Sequence, residues 1–388
     1  MNYPVKRAAV PIVRVVTTGR RELGTAEPPV RVGLIGAGSV VWAYLQMLDR
    51  LIPRGLAQEG PICSRRPEAR ERLLARRPRA EIVADPMEVV GSDADLVAVL
   101  TSAESHAQLA RLALEHGKHV LVEKPLASSR SEGAELAALA RERNLHLIAA
   151  PFVHLAPTFR ALWAEVEDGA LGHVHTARGL YGVAPPDWNT WMYEVGPLVD
   201  LGIYNLKSLT ALLGPVIEVI AAETWANPSR RGADPADVIH LTIRHEQGAL
   251  SSVIAGWEIH GYRRPALELY GTEGTANLLG DDWDPRGYQL YRAEERAWRE
   301  VDAVDPTWLW TDGLRELVDA VREGRDPLAN LEQDLHLLEV LDAARRSAVG
   351  RTPVSVTSRF ERIDLRLTGD ARGASHIHDH TRPPEEQR

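Results

Sequence analysis

Val30-Arg31-Val32-Gly33-Leu34-Ile35-Gly36-Ala37-Gly38-Ser39-Val40-Val41 decides the fold of this 388-residue chain. Its first six residues, apolar but for Arg31, form a buried-strand run, and helical apolar spacing follows as far as Leu51. A glycine-rich turn between a buried strand and a helix suits a dinucleotide pyrophosphate. Gly36 permits the tight turn and Gly38 lets the backbone approach. The helix start at Ser39 and Val40 presents amides and a positive dipole end to the negative charge. The third fingerprint position is Val41 rather than Gly or Ala, which predicts a slightly more open helix but not a lost site.

Working outward, Pro61-Ile62-Cys63, Glu81-Ile82-Val83, Asp95 to Leu100, Lys118 to Val122 and Leu145 to Ala150 read as strands. Helical patterns lie between them at Pro67 to Arg77, His106 to His116 and Ser131 to Arg143. Strands alternating with helices imply an α/β fold with a parallel, doubly wound sheet. After residue 150 the rhythm changes. A helix over Phe159 to Asp168 precedes period-two runs at His173–Leu180, Val216–Trp225, Val238–Arg244, Ala249–Trp257, Ala266–Tyr270 and Thr275–Leu279. These predict a mostly antiparallel sheet, closed by helices over Thr311 to Arg322 and Leu331 to Ala348. The expected organisation is an N-terminal arm (1–29), a Rossmann NAD(P)-binding domain (30–150), a C-terminal domain (151–358) and a polar tail (359–388).

Composition narrows the function. With 45 basic and 54 acidic residues the formal charge is −9, and no basic stripe offers a nucleic-acid footprint. Cys63 is the sole cysteine, which excludes an intrachain disulfide and suits a reducing compartment. As a lone thiol it reads as a small apolar core residue. No run reaches the roughly 18 apolar residues of a membrane span. The first thirty residues lack an apolar leader core, so the chain reads as cytoplasmic.

The cofactor is read at the end of the second strand. An acidic residue there would accept the ribose hydroxyls of NAD. This chain has Ser64-Arg65-Arg66 instead, and a hydroxyl with two guanidinium groups suits a 2′-phosphate. NADP is therefore favoured over NAD.

Ligands in a doubly wound sheet gather at the carboxyl ends of strands, where Thr101-Ser102 and Glu123-Lys124-Pro125 fall. Downstream, Asp200-Leu201-Gly202-Ile203-Tyr204 opens an apolar helical pattern. Four residues are about one helical turn, which puts Asp200 and Tyr204 on one face. Hydride transfer at a carbinol needs a partner that handles the hydroxyl proton. A tyrosine, with a pKa near 10, becomes workable beside an ammonium such as Lys124.

From Val30 to Val356 the chain resembles the Gfo/Idh/MocA family of glucose–fructose oxidoreductase and inositol dehydrogenase. The stretches that carry the likeness are Gly36-Ala37-Gly38, Thr101-Ser102 with His106, and Gly117-Lys118-His119-Val120 followed by Glu123-Lys124-Pro125. Further on come Gly172-His173-Val174, Asp200-x-Gly202-x-Tyr204 and Gly271-Thr272-Glu273-Gly274-Thr275. The resemblance implies a second domain built on a large open sheet that forms dimers or tetramers, and a cis Lys124–Pro125 bond. Lys124 would lie against nicotinamide and substrate, Asp200 would orient the substrate, and Tyr204 would take the acid/base position. Tyrosine there, where many members have histidine, sides with the sugar-oxidoreductase branch. The cofactor set implied is Gly36, Gly38, Ser39, Val40, Ser64, Arg65, Arg66, Thr101, Ser102, His106, Glu123, Lys124 and Pro125.

Departures from the family pattern concern the substrate. Glu194-Val195-Gly196-Pro197 replaces a glycine run, Lys207 stands where some members are acidic, and Pro151-Phe152-Val153-His154 replaces a segment carrying Arg or Asn. His154, Trp188 and Trp191 are the candidate substrate contacts, the tryptophans by stacking on a sugar ring. Trp257, His260, Tyr262 and Arg263 form a second polar-aromatic group. His376, His378 and His380 alternate in the tail, but without further ligands at recognised spacing no metal is expected. The reading is an NAD(P)-dependent oxidoreductase of a sugar or polyol. The alternatives are a non-catalytic dinucleotide-sensing regulator and a glycosidase with a retained NAD.

Overall fold

The structure, a computed structural model, describes residues 28–184 and 191–366, together with the backbone of residues 12–13 and 377–378. Six parallel strands form the first sheet: β1 (Val30–Ile35), β2 (Ala57–Cys63), β3 (Ile82–Val83), β4 (Leu96–Val99), β5 (His119–Val122) and β6 (Leu147–Ala149). Their order, β3-β2-β1-β4-β5-β6, is the doubly wound arrangement in which the chain reverses direction between β1 and β4. Register aligns the strand ends. Ile35 lies beside Cys63 and Val99, Val99 beside Val122, and Val122 beside Ala149. Gly36, Ser64, Leu100, Glu123 and Ala150 therefore leave the sheet along one edge. β2 begins four residues before the apolar run that predicted it. There Gly60 passes so close to β1 that a Cβ would stand 3.0 Å from the Val32 carbonyl oxygen, beside a shift in register.

Helices α1 (Val41–Leu51), α2 (Pro67–Arg76), α3 (Pro86–Val90), α4 (His106–Glu115) and α5 (Arg130–Glu142) flank this sheet. In α1 the apolar spacing buries Val41, Tyr44, Leu45, Leu48 and Leu51 together with Val32 and Leu34 of the sheet. Val41, in place of the third glycine, packs its side chain into that core. Cys63 is buried, and burial pushes its thiol up to about 11, the state of an inert core residue.

The second unit contains α6 (Pro157–Glu167), β7 (Val174–Val183), a short α7 (Trp191–Val195), a π-helical turn (Leu198–Gly202) and α8 (Ile203–Leu213). Then come β8 (Val216–Thr224), β9 (Val238–His245), β10 (Leu250–Trp257), β11 (Leu267–Gly271), β12 (Gly274–Asp281), β13 (Asp284–Arg292), β14 (Ala297–Asp302), α9 (Gly313–Glu323), α10 (Leu331–Gly350) and β15 (Val354–Ser355). The sheet runs β15-β8-β9-β10-β7-β11-β12-β13-β14, with Ile377–His378 at its far edge. Its pairs are antiparallel except β7 with β10. Alternate residues such as Leu241, Val253, Leu269 and Leu290 meet Phe159, Trp163, Leu206 and Leu209 of the covering helices. Trp163 Nε1 donates to the Ala211 carbonyl at 3.0 Å, so the ring is buried without an orphan donor.

Three features depart from the sequence reading. β13 and β14 were not anticipated, because Pro285, Gly287 and the charged residues of 294–300 interrupt the period-two signal. Although α9 follows residue 150 in sequence, it returns to the first domain, burying Leu314, Leu317 and Val318 with Val32 and Leu34. The expected polar tail from 359 begins later: Phe360, Arg362 and Leu365 are buried, and Arg362 pairs with Glu167. An arginine and short apolar residues read as tail in sequence, but a carboxylate on α6 holds them down. The histidine run at 376–380 lies outside the described side chains.

Candidate active site

The loop after β1 has the form a dinucleotide requires. Gly36 has φ +115°, and a Cβ on it would stand 2.6 Å from the Leu100 carbonyl oxygen, so glycine is obligatory. A Cβ on Gly38 would instead point into open space, the room a pyrophosphate would fill. Val40 caps α1 without a side-chain hydrogen bond, which leaves the first amides for a ligand. At the end of β2, Ser64 is buried while Arg65 and Arg66 are exposed, and neither guanidinium forms an ion pair among the described residues. These residues fit NAD(P), which when bound supplies a hydride acceptor or donor.

The next strand ends are tied behind this cradle. His106, 1% exposed, places Nδ1 2.7 Å from the Pro125 carbonyl oxygen and Nε2 3.1 Å from that of Thr101. Burial lowers its pKa against the pull of the two carbonyls, and a neutral ring donates to only one of them; the buried side chain lies between the two loops as an interior brace. Ser105 Oγ donates to Thr101 Oγ1 at 2.7 Å. The Lys124–Pro125 bond is cis. Glu123, expected at the cofactor, turns inward: its carboxylate accepts from Tyr44 Oη at 2.8 Å and from the Lys124 amide at 3.1 Å. Tyr44 was missed from the sequence, since an aromatic on the buried face of α1 is indistinguishable there from ordinary core.

Lys124 meets Asp200, a pairing that the sequence reading did not draw. Its Nζ donates to the Asp200 carbonyl at 2.9 Å and to Oδ1, and lies 5.6 Å from the centre of the Tyr204 ring. The π-helical turn, in which the Ile203 amide reaches back to the Leu198 carbonyl, supplies the wider winding that brings Asp200 and Tyr204 to one lysine. Tyr204 makes an edge-on contact with Tyr181 of β7, centroids 5.7 Å apart. One expectation is reversed here. The Tyr204 phenol is pushed well up, not down: burial acts first, then the charge of Glu123, Tyr181 and Asp200. The Lys124 ammonium is taken up by Asp200, and the Tyr204 phenol stays protonated.

Two profiles match the chain. Residues 30–150 fit the oxidoreductase family with an NAD-binding Rossmann fold, and residues 159–277 fit the Gfo/Idh/MocA C-terminal domain. The chain belongs to the Gfo/Idh/MocA oxidoreductase family. Among its relatives, dTDP-3,4-didehydro-2,6-dideoxy-alpha-D-glucose 3-reductase of Actinomadura kijaniata is 28% identical over 326 residues, 82% of this chain and 96% of that one. The scyllo-inositol 2-dehydrogenase (NADP(+)) of Bacillus subtilis is 24% identical over 363 residues, 85% of this chain and 96% of that one. Levoglucosan dehydrogenase with NADH shares the fold with a TM-score of 0.76 at 23% identity, covering 85% of this chain and all of the other.

The remaining candidates separate. His154 is 2% exposed and lies in the interior beside Leu328, Gln333, Phe360 and Arg362, because the turn Val153–Leu155 buries all three of its side chains. It is not a substrate contact. Lys207, at the position acidic in some Gfo/Idh/MocA members, is fully buried and paired with Asp334 of α10. Trp188 lies outside the described residues, and of Trp191 only the backbone in α7 is described. Trp257 is buried, whereas Tyr262 is near enough to raise the Tyr181 phenol. No cluster of three metal-binding side chains occurs among the described residues.

Proposed function

We propose that this protein reduces, or in reverse oxidises, one carbinol centre of a sugar or polyol with NADP(H) in preference to NAD(H). The observation that carries the reading is the convergence of Lys124, Asp200 and Tyr204 at the carboxyl edge of the Rossmann sheet. In the reducing direction Tyr204 donates its phenolic proton to the forming alkoxide oxygen. Lys124, whose ammonium has three donors and gives two to Asp200, turns the third toward the same oxygen. Asp200 keeps Oδ2 as an acceptor for a neighbouring substrate hydroxyl. Tyr181 walls the pocket beside Tyr204.

A second copy of the chain is the proposed partner. Leu250, Tyr270 and Trp298 are 38%, 37% and 47% exposed, and the register of β10, β7, β11, β12, β13 and β14 places them in one row on the uncovered sheet face. Light scattering tests this.

The decisive experiment for the activity is a screen of aldoses, inositols and keto sugars with NADP and NAD, on the wild type and on Tyr204→Phe. Turnover with one of these substrates that Tyr204→Phe loses supports the proposal. Equal activity in the variant overturns the role of Tyr204.

A further inference from the structure

Asp282 is a buried carboxylate that the scheme above does not use. It sits at the turn between β12 and β13 and is 2% exposed. Ser208 Oγ donates to its Oδ1 at 2.9 Å, and Asn205 Nδ2 donates to its Oδ2. Both donors belong to α8 and are fully buried, one residue and one turn beyond Tyr204. The helix rests hard on the sheet at this place: a Cβ on Gly179 of β7 would stand 2.9 Å from Asn205. The groups that face Asp282 are Asp281 on its own turn, Asn205, Ser208 and Tyr204 on α8, Tyr181 on β7, and Tyr262. No cation pairs with it among the described residues.

A carboxylate buried against neutral donors alone is costly, and an apolar or amide side chain would hold the turn at less cost. Burial is the main cause of the raised Tyr204 and Tyr181 phenols, and the charge of Asp282 adds to it in the same direction. We propose that Asp282 is a positioning residue for Tyr204, its carboxylate fixing α8 through Asn205 and Ser208 and so the place of the phenol on that helix. The idea rests on the reading of Tyr204 as the proton donor. Burial, with Asp281 adding to it, pushes Asp282 up to about 7 against the hydrogen bonds from Ser208 and Asn205. Asn205 Oδ1 is buried without a partner, so a flipped Asn205 amide can accept from a protonated Asp282. Asp282→Asn requires the same flip and so reproduces the neutral state, in which the hold of the carboxylate on the Asn205 amide is lost.

The test compares wild type, Asp282→Asn and Tyr204→Phe by urea midpoint, NADP(H) binding and the pH dependence of kcat. Asp282→Asn is expected to fold and to bind cofactor as the wild type does. Its kcat should fall about tenfold with KM little changed, as for a misplaced donor. The wild-type kcat should rise through pH 7, and this limb should be missing from the variant. A silent Tyr204→Phe overturns the reading of Tyr204 itself. An inactive Tyr204→Phe beside an Asp282→Asn that keeps the wild-type kcat and pH limb overturns the role of Asp282 alone. If Asp282→Asn loses cofactor binding or much of its stability, the residue is structural and the proposal fails.

Discussion

Lys124 Nζ is held by two oxygens of one residue, the carboxylate and the backbone carbonyl of Asp200. The side chains are 14% and 12% exposed, so the pair is largely desolvated. Removing one partner leaves the other charge buried, at a cost of about 3 kcal/mol. Lys124→Met should therefore lower the urea midpoint as well as kcat, the latter by at least about a hundredfold, while NADP(H) binding persists. Lys124→Met combined with Asp200→Leu should recover the stability but not the turnover. Recovery of both would show that the pair is structural only.

Arg65 and Arg66 project from the end of β2 with no ion pair among the described residues. A 2′-phosphate would meet charge-assisted donors worth about 1.5–3 kcal/mol each, roughly a tenfold to hundredfold change in Kd per arginine. Fluorescence titration of Arg65→Ala and Arg66→Ala should show weaker NADPH binding and unchanged NADH binding. The NADPH difference should shrink as salt rises. Parallel losses for both cofactors would assign the arginines to the shared diphosphate instead.

The first domain was legible because its signals are local. The run Val30–Ile35, the turn Gly36–Gly38 and the repeating strand–helix rhythm each lie within one βαβ unit, and a strand apolar but for Arg31 at its start declares a sheet covered on both faces. What sequence could not show were contacts made across the chain. Tyr44 is a core residue by pattern and a ligand of Glu123 only because α1 and β5 meet. His154 looked like a substrate group after the last Rossmann strand, but a short turn folds it inward. The phenol of Tyr204 reversed its expected shift because burial dominates it, with Glu123, Tyr181 and Asp200 adding from other elements, while Lys124 is paired with Asp200.

Tyr44→Phe tests the inward role of Glu123. The carboxylate is 6% exposed, and the phenol gives it a 2.8 Å hydrogen bond. Losing a donor to a buried charge costs about 1.5–3 kcal/mol. Because Glu123 also accepts from the Lys124 amide, the loss should reach catalysis: kcat falls, and KM for NADP(H) moves little. A large rise in the cofactor KM with unchanged stability would place Glu123 at the cofactor after all.

His336 gives a pH prediction with a definite sign. Its Nε2 accepts from the Val216 amide at 2.9 Å, so Nδ1 carries the proton and donates to Ser358 Oγ at 2.8 Å. Protonating Nε2 would set two donors against each other. Burial above all lowers the pKa to about 4, against about 6.5 in the unfolded chain. The unfolded state then binds more protons between these values. The contribution of a neutral His336 is complete above pH 6.5 and is lost as pH falls toward 4, up to about 3 kcal/mol for a buried group. Asp334, which burial pushes up to about 6, acts in the opposite sense over the same interval. The comparison is therefore wild type against His336→Gln, whose amide can accept from Val216 without titrating. The stability difference between the two proteins, read from urea midpoints, should shift against the wild type by about 3 kcal/mol between pH 7 and pH 4. A constant difference across that range would mean that His336 is not held neutral.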